Sequence, residues 1–232
     1  MAKKVTHAPI DFAVLDALVD GTHTQPHDVL GPHVNDGVVT IRVLRPNATA
    51  VDVVIGSDVY PTVHEHRGVW VAGIAGKEVP DYRLRVTYDG DPIPGDDPYR
   101  FLPSLGDIDQ HLIAEGRHEQ LWQVMGAHTH LYDTPHGPVH GVSFAVWAPN
   151  AKGVRVVGDF NYWDGTATPM RSLGSTGIWE IFEGCISCTW DFFRMRGGAS
   201  ASGVKRYSSS PISMARPSRT SSSVVSTWCD AY

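Results

Sequence analysis

No run of eighteen apolar residues occurs in this 232-residue chain, so it offers no candidate membrane-spanning helix. The Met-Ala-Lys-Lys start is followed by no apolar segment of the kind a secretory leader needs. Cysteine is scarce, and three residues, an odd number, make a poor disulfide framework and suit a reducing compartment. A soluble, cytoplasmic protein with no membrane partner is the expectation. Cys185 and Cys188 have the spacing of half a zinc site, but a structural site takes four ligands and only Cys229 remains. Free thiols are expected, with no metal and no cofactor. Positive charge is also short over most of the length. Residues 192–232 hold six Lys/Arg against one acid, Asp230, and carry +5, so within a net charge of −6 residues 1–191 carry −11. An acidic body argues against nucleic acid as a partner.

What is present is strand and turn. After a short lead-in helix over residues 10–19, with Ile10, Val14, Leu15 and Leu18 at helical spacing and Gly21 as its stop, comes a Gly/Pro-rich segment with His23, His27 and His33. No element there would fix three metal ligands, so turn and surface roles are expected of these histidines. Residues 38–86 alternate short apolar runs with Pro, Gly, Asn and Asp turns, the pattern of a β-sandwich.

Residues 141–164 read as two strands and the turns that bound them. Phe144 and Val146 fall on one face and Ala145 and Trp147 on the other, and a hairpin joining residues 142–147 to residues 154–157 is expected. Residues 39–54 (VTIRVLRPNATAVDVV) match residues 142–157 (VSFAVWAPNAKGVRVV) at a constant offset of 103. Gly68-Val69-Trp70 recurs as Gly177-Ile178-Trp179, and Tyr82-Arg-Leu-Arg as Phe193-Arg-Met-Arg. Segments repeated in one order argue for two copies of one sandwich. Trp70 and Trp179 recur at equivalent places, which favours core packing. Trp147, whose counterpart is Leu44, and the turn Gly158-Asp-Phe-Asn-Tyr-Trp-Asp164 belong to the second copy alone.

Between the copies lie a Pro-rich connector (residues 92–103) and one broken helix around Gly116, expected to pack between the sandwiches. Asp96 and Asp97 precede Pro98 in the connector. Adjacent side chains on an extended chain diverge, so turn and salt-bridge roles are expected rather than paired-carboxylate catalysis. Residues 199–227 hold eleven Ser and no Asp or Glu, a composition that does not offset chain entropy, and disorder is expected. The expected division is therefore helix and loop (1–36), first sandwich (37–91), connector and broken helix (92–130), second sandwich (131–197, incomplete) and tail (198–232).

These residues resemble the N-terminal region of the 1,4-α-glucan (glycogen) branching enzymes of the α-amylase superfamily. The resemblance runs over Pro26-His-Asp-Val-Leu-Gly-Pro-His33, Asp97-Pro-Tyr-Arg-Phe101, Leu112-Ile-Ala-Glu-Gly-Arg-His118, Leu121-Trp122, Met125-Gly-Ala-His128 and residues 144–164. It implies two tandem immunoglobulin-like β-sandwiches, the second a glycogen-binding module that precedes a catalytic (β/α)₈ barrel, with Trp147 as a stacking platform. A barrel takes roughly 200 residues or more, none of which remain, so this chain alone is expected to be catalytically inert. No catalytic residue is assigned. After Arg196 the family's last strand is not recognisable, and a shifted reading frame or a truncated copy would account for the tail.

Sugar rings bury their C–H faces on flat aromatics while polar groups take their hydroxyls. The candidate glucan-binding residues are Trp147, Asn161 and Trp163, each with a structural alternative: Trp147 packing on a neighbouring domain, Asn161 ordering its turn, Trp163 bracing it. The function implied is an α-glucan-binding scaffold of a branching enzyme, with α-1,4-glucan chains and the family's barrel as partners. A free-standing glucan-binding scaffold and a non-functional truncated product are the alternatives.

Overall fold

The computed structural model describes residues 6–184 and the backbone of residues 226–229. Helix α1 (Phe12–Asp20) forms where Asp11 caps its first turn, with Asp11 Oδ1 accepting from the Ala13 amide at 3.0 Å, and Gly21 ends it in the left-handed region. Eight strands follow: β1 (Gly31–Asn35), β2 (Val38–Leu44), β3 (Ala50–Ile55), β4 (Asp58–Pro61), β5 (Val63–His66), β6 (Val69–Ala75), β7 (Arg83–Thr87) and β8 (Ile93–Gly95). They form two antiparallel four-stranded sheets, ordered β1-β2-β6-β5 and β4-β3-β7-β8. Alternate residues Val39, Ile41 and Val43 of one sheet meet Val51, Val53, Leu84 and Val86 of the other in one buried cluster.

The second sandwich repeats the first sheet. β9 (Gly126–Thr134), β10 (Gly137–Trp147), β12 (Arg171–Ser172) and β13 (Ile178–Gly184) take the order β12-β13-β10-β9, the counterpart of β5-β6-β2-β1. β11 (Val154–Val157) lies in a separate sheet, paired with β14 (Ser226–Cys229). The expected hairpin between residues 142–147 and 154–157 therefore does not exist. β10 and β11 cross from one sheet to the other through the Pro-Asn-Ala turn, as β2 and β3 do. The turn selects this crossing in both copies by the same contacts. The amides of Arg45 and Ala148 each bond the carbonyl of the recurring glycine, Gly68 or Gly177, at 2.8 Å. Both glycines have positive φ (83° and 72°) and touch the turn proline, where a Cβ would stand 2.3 Å from Pro46 Cα and 2.7 Å from Pro149 Cβ. The indole N–H groups of Trp70 and Trp179 donate to the carbonyls of Arg45 and Ala148 at 3.2 and 3.0 Å, so these tryptophans are part of the packing, as expected.

β14 pairs Val154↔Cys229 and Val157↔Ser226, the register in which β3 pairs Val51↔Val86 and Val54↔Arg83 with β7. Part of the segment expected to be a disordered tail thus occupies the seat of β7 in the repeat. Phe193-Arg-Met-Arg196, expected in that seat, lies outside the described residues, as do Cys185 and Cys188.

Several expected boundaries shift. β1 draws residues 31–35 into the first sandwich, β8 draws residues 93–95 of the connector onto β7, and β9 begins at Gly126. The broken helix is α2 (Asp107–Ala114), followed after Gly116 (φ 68°) by a short turn of 3₁₀ helix at Leu121–Gln123. It does not pack between the sandwiches. α2 buries no residue completely, and Ile113, Val124 and Met125 rest on Leu105, Ala145, Leu173 and Ile178, the outer face of the second sandwich. The seam is filled instead by α1 and the connector. Leu15, Leu18, Leu44, Val69 and Tyr99 pack with Phe144, Val156, Trp179 and Ile181 in one cluster. Gly153 lets the β10–β11 turn meet the end of α1, since a Cβ there would stand 1.9 Å from the Gly21 carbonyl. Arg155 also donates to Val19 O at 3.0 Å.

His27 departs from its expected surface role. It is half-buried in the seam with both ring nitrogens inside, edge-on to Tyr99 at 4.9 Å, and neither ring nitrogen has a partner among the described residues. Burial, with Arg171 and His33 nearby, pushes its pKa down to about 3. Asp96 and Asp97 behave as expected of connector acids. Asp96 pairs with Arg83 at 2.8 Å and Arg100 at 3.2 Å, while Asp97 caps Tyr99 N at 3.1 Å and accepts from Tyr82 Oη at 2.6 Å.

Candidate carbohydrate-binding face

The turn at residues 158–164 is built by Asn161. Its Oδ1 accepts from Gly158 N and its Nδ2 donates to Val156 O, both at 2.9 Å. The Trp163 amide returns to Gly158 O at 2.9 Å and the Asp164 amide to Asn161 O at 3.0 Å. Asp164 closes the turn by accepting from the Thr166 amide at 2.9 Å and hydroxyl at 2.5 Å, which hold its carboxyl below the usual range. Phe160 lies parallel to Phe144, with centroids 6.2 Å apart, and anchors the turn to the core.

This bonding holds two consecutive non-glycine residues in the left-handed region, Tyr162 at φ 55° and Trp163 at φ 62°. Left-handed backbone at bulky residues costs about 1–3 kcal/mol each and persists only where surrounding contacts impose it. The effect is to display aromatics: Tyr162 is 92% exposed and Trp163 48%. Tyr162 was not among the residues singled out in the sequence. Nothing in its type or spacing marked it, because its exposure follows from backbone conformation.

Trp147 ends β10 and is 64% exposed, whereas its counterpart Leu44 is 0% exposed beneath α1. The indole N–H donates to Thr176 O at 3.2 Å, and the Nε1 edge rests by Gly177, so the ring is held while much of its surface stays open. Asn161 and Trp163 share one turn. Trp147 ends β10 ahead of the Pro-Asn-Ala turn, so the two tryptophans are separate stations, one at each turn. Asn161 has its amide committed to the backbone and orders the turn. Among the described residues no group of three His, Cys, Asp or Glu could hold a metal ion, and no helix is long and apolar enough to cross a membrane.

Comparison with known proteins matches the same two units. The family described as alpha-1,4-glucan branching enzyme GlgB, N-terminal domain, matches residues 11–99, and carbohydrate-binding module 48 (isoamylase N-terminal domain) matches residues 124–211. The chain is 56% identical over 174 residues to a 1,4-alpha-glucan branching enzyme GlgB of Thermobifida fusca, covering 74% of this chain and 23% of that protein. It is 44% identical over 231 residues to one of Mycobacterium tuberculosis, covering 97% and 31%. Among solved structures, a pullulanase from Anoxybacillus sp. LM18-11 complexed with maltotetraose overlaps 36% of this chain and 13% of its own, at 23% identity and a TM-score of 0.30. The chain spans about a quarter to a third of the length of these curated relatives. Residues 11–99 and 124–211 together place the chain in the branching-enzyme family as its N-terminal region, with a module 48 β-sandwich as the second domain.

Proposed function

We propose that this chain binds α-1,4-glucan through the second sandwich and serves as the substrate-positioning, N-terminal part of a cytoplasmic branching enzyme, whose barrel would be its partner. The observation that carries this reading is the strained pair Tyr162–Trp163, 92% and 48% exposed on a turn that Asn161 orders. An exposed aromatic is hydrated at a cost that a sugar's C–H face removes. Trp147 supplies a second station, and its fixed ring edge leaves less of it to gain from a ligand.

The first sandwich has the same scaffold without either station, and we assign it a supporting role. Binding is the contribution assigned to this region; glycosyl transfer would belong to the barrel. Titration of maltoheptaose into the full chain tests the reading. Trp163→Ala is expected to weaken binding about tenfold, the scale of losing one stacking contact, and Trp147→Ala by less. Unchanged affinity in both variants would remove the aromatic stations from the binding site.

A further inference from the structure

The strands at the sheet edges differ in how they are closed to further pairing. An edge strand presents a row of unpaired backbone amides and carbonyls, and proteins blunt it with proline, lysine, a bulge or a short length. In the first sandwich β1 contains Pro32, β4 ends on Pro61, β8 contains Pro94 and β5 is bulged between His64 and His66. In the second, β12 has two residues. β9 uses none of these devices. It is the outermost strand of the order β12-β13-β10-β9, pairs with β10 in unbroken register along its nine residues, and carries neither proline nor lysine.

One face of β9 is also uncovered. Ala127 and Thr129 pair with Phe144 and Val142, so with Leu131 they lie on the face that Phe144 turns to the core. They are nevertheless exposed, Leu131 to 54%. The cause lies across the core. The facing sheet has four strands in the first sandwich, but among the described residues only β11 and β14 in the second. The core face of β9 therefore overhangs.

The strand that completes this edge is β9 itself. Its centre is His130, and an antiparallel copy related by a two-fold axis through that residue pairs the strand along its whole length. Thr129 then meets the partner's Leu131, His128 the partner's Tyr132 and Ala127 the partner's Asp133, so no two carboxylates stand opposite each other. The two overhanging faces become one continuous surface. At the axis His130 meets its own copy, and desolvation with His128 nearby lowers its pKa, which favours the uncharged ring there. We propose that β9 is a dimerisation edge, through which two copies of this chain join their four-stranded sheets into one antiparallel sheet of eight. The dimer does not depend on glucan binding.

The test is sedimentation of the full chain over a range of about 1 to 500 μM, a span that brackets associations of micromolar strength. The mass is expected to rise from 25.3 kDa towards twice that value. Thr129→Lys/Leu131→Lys sets lysine against lysine twice across the axis and is expected to weaken association at least about tenfold. Thr129→Lys/Leu131→Glu changes the same two exposed positions but sets opposite charges across the axis, and is expected to keep the dimer. His130→Cys, at the axis, is expected to give a disulfide-linked dimer on mild oxidation beyond any formed by the unsubstituted chain, whereas Ala127→Cys is not. A monomer throughout the range, equal loss of association in both double variants, or association that both leave intact overturns the proposal. A monomer whose β9 amides are nevertheless protected from hydrogen exchange also overturns it, and assigns the edge to another segment of the same chain.

Discussion

The two sandwiches share a frame and differ in what they place at its ends. In both, a Pro-Asn-Ala turn sits on a positive-φ glycine and a tryptophan N–H closes the turn from within. At the end of β2 the chain puts Leu44, and α1 covers it. At the end of β10 it puts Trp147 and leaves the ring open. After β3 a two-residue hairpin turn leads directly to β4. After β11 the Asn161-ordered turn displays Tyr162 and Trp163. The shared parts build the crossing between sheets, and the unshared parts add aromatic surface at its ends. Function is best sought in that difference.

The comparison can be broken first at the shared position. Leu44→Ala should cost about 3 kcal/mol, the usual loss for a fully buried leucine, whereas Trp147→Ala should cost less than about 1 kcal/mol. Urea melts of both variants check this, and similar losses would mean that Trp147 is a packing residue. Next come the recurring glycines. Gly68→Ala and Gly177→Ala each force a Cβ onto the turn proline at positive φ and should each cost about 2 kcal/mol, by the same melts. A large effect at one and none at the other would end the claim of a shared turn mechanism.

The frame was legible in the sequence because period-two alternation and a 103-residue repeat are local patterns. The sheet assignment of β10 and β11 was not. A short turn between two strands reads as a hairpin, and the contact that turns the chain across sheets comes from Gly177, a residue beyond the reach of the local pattern. Likewise His27 reads as a loop residue because its burial depends on Tyr99, far along the chain. Trp147 and Trp163 could be picked out as additions to the repeat, but Tyr162 could not, since a left-handed φ has no signature at a tyrosine.

A smaller effect distinguishes the seam from both cores. His27, lowered to about 3, keeps its proton off in the fold, so it contributes stability that is present above the unfolded value near 6.5 and lost as pH falls towards 3. Glu183, half-buried with its Oε1 inside and unpartnered among the described residues, has its pKa raised by desolvation to about 7. Its contribution is present below about 4.5 and lost as pH rises through 7. The two slopes oppose each other between about 4.5 and 6.5, which should give a flat maximum there. Glu183→Gln should remove the alkaline slope, so that stability rises with pH across this range; melting temperatures between pH 4 and 8 check it. Smaller again, deletion of residues 226–232 should lower the melting temperature of the second sandwich by removing β14, and a chain unaffected by the deletion would show that β11 needs no partner in that seat.

The central claim is that glucan binding belongs to what the second sandwich adds to the repeat. The indole N–H resonances of the full chain, followed by NMR during addition of maltoheptaose, test it most directly, because Trp70 and Trp179 serve as internal references bonded inside the two equivalent turns. Shifts at Trp163 and, more weakly, at Trp147, with Trp70 and Trp179 unmoved, are the expected result. Unmoved Trp147 and Trp163 signals, or equal shifts at Trp70 and Trp179, would contradict it.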